Sequence, residues 1–341
     1  MTDQAPRRTR TLAPDVAGIA EAAACLKSGG LVAMPTETVY GLAADATSDR
    51  AVASIYAAKT RPTFNPLIAH VLDHAAAARE ALFDAHAERL AEAFWPGPLT
   101  LVAPAAPGCR ISALARAGLD SVALRAPSHP AARALIETAG LPLAAPSANR
   151  FGRLSPTKPE HVREELGGAV EVILDGGESP IGLESTIVSC LNDEARLLRP
   201  GFITRSQLEH EVGPLATGGA VPRVPGDRRL HYAPNTPLAI VASDDLERYA
   251  AEFVARQEKV AVLAMRLPLQ TQRYMTWINA GKKPAAYAHN LYNHLRTLDS
   301  AGCARILVQA LPDDENWAAI HDRLRRASGV EDGDPLELSA G

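Results

Sequence analysis

The apolar runs of this chain, such as residues 31–35 and 261–265, are strand-sized. None approaches the ~20 residues that a helix needs to cross a bilayer. Between such runs apolar side chains recur at helical spacing, so strands and helices must alternate. Strands are expected at 31–34, 66–71, 99–103, 121–125, 142–145, 170–174, 186–189 and 196–198. Helices are expected at 13–27, 49–59, 85–94, 131–139 and 159–166, the last with Thr157 as its N-cap. The fold class is therefore mixed α/β, and the irregular spacing of the strands does not suit a simple doubly wound sheet.

At 341 residues the chain is long enough for two domains. Residues 213–237 crowd proline and glycine and lose all periodicity, which is linker composition. This sets a first domain over 1–212, a linker over 213–237 and a smaller βαβ-type domain over 238–330, with an acidic loose tail over 331–341. In the second domain strands are expected at 238–241, 260–265 and 305–310, and helices at 244–257, 285–298 and 316–327. Its first strand is followed by no G-x-G loop, which argues against a dinucleotide site. His289 and His294, beside Tyr287 and Tyr292, read as a solvated helix face. A regulatory or docking module suits this domain better than a second active site.

Composition excludes several classes. Hydrophobic residues at 47% and charged residues at 22% argue against disorder. Lys and Arg total 35 against 39 Asp and Glu, a net charge of -4, so any contact with nucleic acid has to come from a local patch. Cys25, Cys109, Cys190 and Cys303 form no C-x-x-C pair, which argues against zinc or a disulfide framework and suits a reducing cytosol. The basic N-terminus lacks a following apolar segment, so it reads as a frayed arm, with a phosphate-contacting arm as the alternative, and not as a signal peptide.

Three segments look unlike scaffold. The first, M-P-T-E-T-V-Y-G-L (34–42), sets two hydroxyls and a carboxylate where a buried strand meets a loop. It is either a ligand contact or a turn capped by threonines. The second, Y-A-A-K-T-R-P-T-F-N-P-L-I-A-H (56–70), ends an apolar helical stripe with Lys59, two residues before Arg61 and just ahead of Pro62. Lys59 either compensates the helix dipole or points a cation into a cleft; with Arg61 it forms a pair suited to a polyphosphate. His70 closes the next strand, as a satisfied core histidine or a ligand. The third, L-A-A-P-S-A-N-R-F-G-R-L-S-P-T (143–157), follows a strand with Ser147 and Asn149, groups suited to phosphate oxygens or a base edge. Ser185 and Arg199 each stand beside a later strand, and no Walker-type lysine loop occurs.

Together these segments resemble the threonylcarbamoyl-AMP synthase family, the YrdC-like fold in its longer two-domain form. The resemblance rests on P-T-E-T-V-Y-G-L, K-x-R-P-x-x-N-P-L-I-x-H, W-P-G-P-L-T (95–100), A-P-S-A-N, E-S-T-I-V and L-L-R-P-G, in the family's order over about residues 13–210, and continues through H-Y-A-P (231–234). It implies a twisted open mixed sheet with helices around a basic cavity, and a smaller Rossmann-like α/β domain. It further implies that L-threonine, bicarbonate and ATP, with Mg²⁺ on the phosphates, give L-threonylcarbamoyladenylate and pyrophosphate in the cytoplasm. A separate transferase complex would then carry the group to tRNA, with at most a weak RNA contact by this chain.

On matching positions, the resemblance implies threonine contacts at Thr38, His70, Arg125 and Ser185. It implies ATP contacts at Arg61, Asn65, Ser121, Ser147, Asn149 and Arg199, with Lys59 and Arg61 carrying the chemistry. The linker is expected to fold over the cavity, with Tyr232 reaching the nucleotide. Two departures stand out: Asp227 and Arg228 replace an apolar residue and a lysine of the family linker, and D-D-E-N-W (313–317) replaces a glycine-bearing turn. A double-stranded RNA-binding module of the same fold is the alternative, disfavoured by the net charge. A carbamoyl-transfer enzyme of hydrogenase maturation is disfavoured by the lack of C-x-x-C pairs.

Overall fold

Helix boundaries follow local chemistry. In a computed structural model describing residues 8–218 and 231–329, the side chain of Asp15 caps α1 (Val16–Lys27) by accepting from Gly18 N at 2.8 Å. Ser48 caps α2 (Asp49–Lys59), and Thr60 closes it in the left-handed region at φ 52°. Pro130 opens α5 and Gly140 ends it at φ 68°.

The first unit runs β1 (Arg10–Leu12), α1, β2 (Val32–Met34), β3 (Gly41–Asp45), α2, β4 (Ile68–His70), α3 (His74–Ala77), α4 (Ala85–Phe94), β5 (Leu99–Pro104), β6 (Ser121–Arg125), α5 (Pro130–Ala139) and β7 (Leu143–Ala144). It continues through α6 (Pro159–Leu166), β8 (Val172–Leu174), β9 (Thr186–Leu191), β10 (Glu194–Arg199) and α7 (Arg205–Val212). Among the described residues its strands form one ten-stranded mixed sheet, ordered β1-β8-β2-β3-β7-β4-β6-β5-β9-β10. One apolar layer packs α1 and α5 over Val32, Met34, Val172 and Leu174; another packs α2 beneath Leu42, Ala69 and Leu124. A third joins Leu90 of α4 and Leu208 of α7 to Leu99 and Val188.

The second unit contains β11 (Leu238–Val241), α8 (Leu246–Ala255), β12 (Val260–Ala264), β13 (Met275–Asn279), α9 (Pro284–Ser300), β14 (Arg305–Gln309) and α10 (Ala318–Ser328). Its four strands are all parallel, in the order β11-β14-β12-β13. The expected fold class is met: a large mixed sheet, and a separate parallel sheet flanked by helices.

Several expectations need correction. The N-terminal arm is not wholly frayed, because Arg10–Leu12 pairs in parallel with β8. Thr157 does not cap α6: Lys158 holds that position without a side-chain bond, and Pro159 sets the first turn. The two strands β3 and β13 and helix α7 were not expected; β3 is G-L-A-A-D, poor in β-branched residues, and is held by pairing with β2 and β7. Tyr287 and Tyr292 are fully buried, so α9 turns them into the core and not toward solvent. D-D-E-N-W forms a short 3-10 turn capped by Asp314, with Trp317 buried edge-on to Tyr287 at 5.3 Å.

The domain division also differs in detail. Residues 152–154 group with the second unit: Arg296 donates to the Leu154 carbonyl at 2.7 Å and Ala233 N to the Gly152 carbonyl at 2.9 Å. Both ends of the expected linker are folded. Ala216 N bonds Ala195 O in the first unit, and Thr236 N bonds Asp299 in the second. The lid expected from this stretch, with Asp227 and Arg228, falls on 219–230, outside the described residues.

Candidate active site

The loop leaving β2 is the hub of the site. Its backbone is bound on both sides: Tyr40 N donates to Pro156 O at 2.8 Å, Ala148 N to Tyr40 O at 2.8 Å, and Gly182 N to Thr38 O at 3.1 Å. Gly41 lets the strands approach closely here: a Cβ would come 3.1 Å from that of Ala145, beside the bridge to Ser147. The P-T-E-T, A-P-S-A-N and E-S-T-I-V segments, dispersed along the chain, are thus brought side by side.

Four buried cations mark the surroundings: Lys59, Arg61, Arg125 and Arg199 are all under 8% exposed. Lys59, at the end of α2, donates to the Ser147 carbonyl at 2.6 Å, to the Asn149 carbonyl and, at 3.5 Å, to the Asn149 side-chain oxygen. Burial, and then the neighbouring Arg61 charge, push its pKa well below the ordinary lysine value. Arg61 donates to the Pro66 carbonyl at 3.0 Å and lies 5.7 Å over the Phe151 ring. Asn65 is buried, with neither side-chain polar atom finding a hydrogen-bond partner among the described residues.

Arg125, at the carboxyl end of β6, donates to Gly97 O at 3.3 Å, Thr38 Oγ1 at 2.8 Å and Glu37 Oε1 at 2.6 Å. Burial opposes ionisation of Glu37, but the Arg125 charge and hydrogen bond outweigh it and hold the carboxyl below its usual value. His70 is the register partner of Arg125 in the β4–β6 ladder. Burial, reinforced by the Arg125 charge, pushes its pKa down to about 3, so it is neutral at neutral pH. Across the sheet, Arg199 donates to both oxygens of Ser185, whose hydroxyl lies 2.7 Å from that of Thr100.

The structure therefore groups Thr38 with Arg125 and His70, Lys59 with Ser147 and Asn149, Arg61 with Asn65, and Ser185 with Arg199. Ser121 stands apart: it begins β6, roughly 13 Å along the strand from Arg125. Tyr232 belongs to the second unit, where its ring is buried 6.1 Å from Tyr292 and beneath the Arg323 guanidinium at 5.2 Å. Glu37 and Thr100 were not singled out as site residues, although both lie in quoted motifs. Their signal is their partners, 88 and 85 residues away along the chain.

A separate cavity of about 490 Å³ is lined by His74, Glu88, Arg89, Trp95 and Arg133 among others. His74 meets Glu88 there at 2.6 Å and Arg133 donates to Leu72 O at 2.9 Å, and none of the site residues named above is among its lining residues. Among the described residues no group of three or more His, Cys, Asp or Glu is arranged to hold a metal, and no helix is long and apolar enough to cross a membrane.

Comparison with known proteins agrees along the chain. Residues 24–201 match the Sua5/YciO/YrdC family, described as "Telomere recombination", and 203–329 match the threonylcarbamoyl-AMP synthase C-terminal domain. A Bacillus subtilis protein named threonylcarbamoyl-AMP synthase is 41% identical over 324 residues, covering 91% of this chain and 93% of its own. A Pyrococcus abyssi protein of the same name is 37% identical over 90% of this chain and 93% of its own. The crystal structure of P. abyssi Sua5 complexed with L-threonine superposes with a TM-score of 0.85 at 36% identity, covering 94% of this chain and 98% of that one.

Proposed function

Because the chain belongs to the Sua5/YciO/YrdC family of threonylcarbamoyl-AMP synthases, we propose that its cation-rich first unit joins L-threonine, bicarbonate and ATP. The chain is an enzyme, and its products are L-threonylcarbamoyladenylate, the donor for threonylcarbamoyladenosine in tRNA, and pyrophosphate. The observation that carries the site assignment is the burial of four cations, Lys59, Arg61, Arg125 and Arg199, with Arg125 bonded to Glu37 and Thr38 of the loop leaving β2 and Lys59 to the carbonyl of Ser147, which bridges Gly41 at the end of that loop.

We read the reaction as nucleotidyl transfer. The threonine amine condenses with bicarbonate to a carbamate with loss of water. A carbamate oxygen then attacks the α-phosphorus of ATP, and the bond to pyrophosphate breaks. This needs positioning and charge stabilisation and no nucleophilic side chain. Arg125, Thr38, His70 and Ser185 are assigned to threonine. Lys59 and Arg61 neutralise the triphosphate, with Asn65, Ser147, Asn149 and Arg199 placing the nucleotide; Ser121 and Tyr232 are assigned to ATP only by their motif positions.

Mg²⁺ enters in this reading on the ATP phosphates, where it supplies further charge for the departing pyrophosphate. The nearby carboxylates fit that arrangement, because Glu37 is engaged by Arg125 and Glu184 by Ser155. A separate transferase takes the product to tRNA, and a net charge of -4 gives this chain no general attraction for RNA. Four free cysteines agree with a cytoplasmic setting.

The test is pyrophosphate release with threonine and bicarbonate omitted in turn. Release is expected only with both present. Release that needs neither would reduce the chain to an ATPase and remove the reading.

A further inference from the structure

The Arg125 guanidinium carries five N–H donors. Among the described residues it commits three of them: Nε to Gly97 O, one terminal nitrogen to Thr38 Oγ1, and the other to Glu37 Oε1. One N–H is left on each terminal nitrogen, enough donors for the two oxygens of a carboxylate. A guanidinium on a four-bond stem presents these donors in one direction only if something fixes its rotation, and Glu37 has the geometry to do so. Its Oε1 takes the Arg125 bond at 2.6 Å and its Oε2 accepts from Ser128 N at 3.2 Å. Its own carbonyl accepts from Ile181 N at 2.9 Å, so the backbone beneath it is fixed as well.

We propose that Glu37 is the positioning residue of the amino-acid subsite, holding Arg125 so that its two uncommitted N–H groups receive the α-carboxylate of the substrate. This rests on the assignment of Arg125 to threonine above and adds a residue to it. A buried ion pair is a weak device for stability, since desolvating both charges offsets most of their attraction. Its value here is geometric and electrostatic. The pair sets an anion beside the cation, so the subsite offers a partner to each end of a zwitterionic α-amino acid, whereas an unpaired Arg125 would accept any small carboxylate.

The test compares Glu37→Gln with Arg125→Gln, varying threonine and ATP separately, with Tm recorded for each. Glu37→Gln keeps the shape and removes the charge. It is expected to raise the threonine KM about tenfold or more while the ATP KM stays within about twofold. If Arg125→Gln raises the threonine KM and Glu37→Gln does not, the positioning role is overturned while the threonine assignment stands. If Arg125→Gln leaves the threonine KM unchanged, the assignment itself falls. Should Glu37→Gln fail to fold, Glu37→Asp carries the test by keeping the charge and shortening the reach. An increase of about threefold or more in the threonine KM supports the role, and an unchanged value overturns it.

Discussion

Arg199 clasps Ser185: its guanidinium donates to the Ser185 carbonyl at 2.9 and 3.1 Å and to the hydroxyl at 3.1 Å. On the proposed assignment of Arg199 to the nucleotide and Ser185 to threonine, this clamp would join the two subsites. Arg199→Lys keeps the charge and loses the fork. It is expected to raise the KM for both substrates, by about fivefold or more each, in steady-state assays varying one substrate at a time. Thr100→Val removes only the hydroxyl that meets Ser185 Oγ, and is expected to raise the threonine KM alone. An Arg199→Lys effect confined to ATP would show that the clamp does not couple the subsites.

Asn65 separates stability from function. Its amide is buried, yet neither Oδ1 nor Nδ2 is bonded among the described residues, and such a group costs about 1–3 kcal/mol. Asn65→Leu, of similar volume, removes that cost. The variant is expected to gain about 1 kcal/mol in urea denaturation while its ATP KM rises about tenfold or more. A destabilised variant with an unchanged ATP KM would make Asn65 a structural residue.

How much of this could be read in advance follows from what each residue depends on. Asp49–Lys59 was legible to the residue, because Ser48 starts it and Pro62 enforces its end, and both signals are local. Ser121–Arg125 was equally legible as a β-rich run. Gly41–Asp45 was not, since its strand character comes from pairing with β2 and β7 and not from its own propensity. Arg10–Leu12 likewise depends on a partner more than 150 residues away. At the site, the motifs supplied residue identities, but Glu37 acquires a role only when Arg125 is folded against it.

His70 predicts an acid sensitivity. Its folded pKa is pushed down to about 3, against about 6.5 in an unfolded chain. Between these values the unfolded chain binds a proton that the folded one refuses, so stability falls as pH falls below about 6.5, by up to about 1.4 kcal/mol per pH unit. Urea denaturation at pH 6.5 and 5.5 should show a loss of about 1 kcal/mol in the wild type that is missing in His70→Asn. Equal slopes for the two proteins would mean that His70 is protonated in the folded state as readily as in the unfolded one.

Lys59 predicts that ATP binding takes up a proton. Its amino group is ringed by the Ser147 carbonyl and both oxygens of Asn149, but burial and the charge of Arg61 hold its pKa well below that of a free lysine. A triphosphate beside it reverses that balance, because an adjacent anion favours the ammonium form. The protonated form is the one that binds. Above the pKa of the free enzyme and below that of the complex, each unit of rising pH therefore weakens ATP binding by up to about tenfold. Calorimetric titration of ATP at several pH values, in buffers of differing ionisation enthalpy, reads the effect directly as a net uptake of protons. Lys59→Gln should abolish the uptake and weaken binding at every pH. A wild-type titration with no proton exchanged at any of these pH values would show that Lys59 is already charged before the nucleotide arrives, or lies out of its reach.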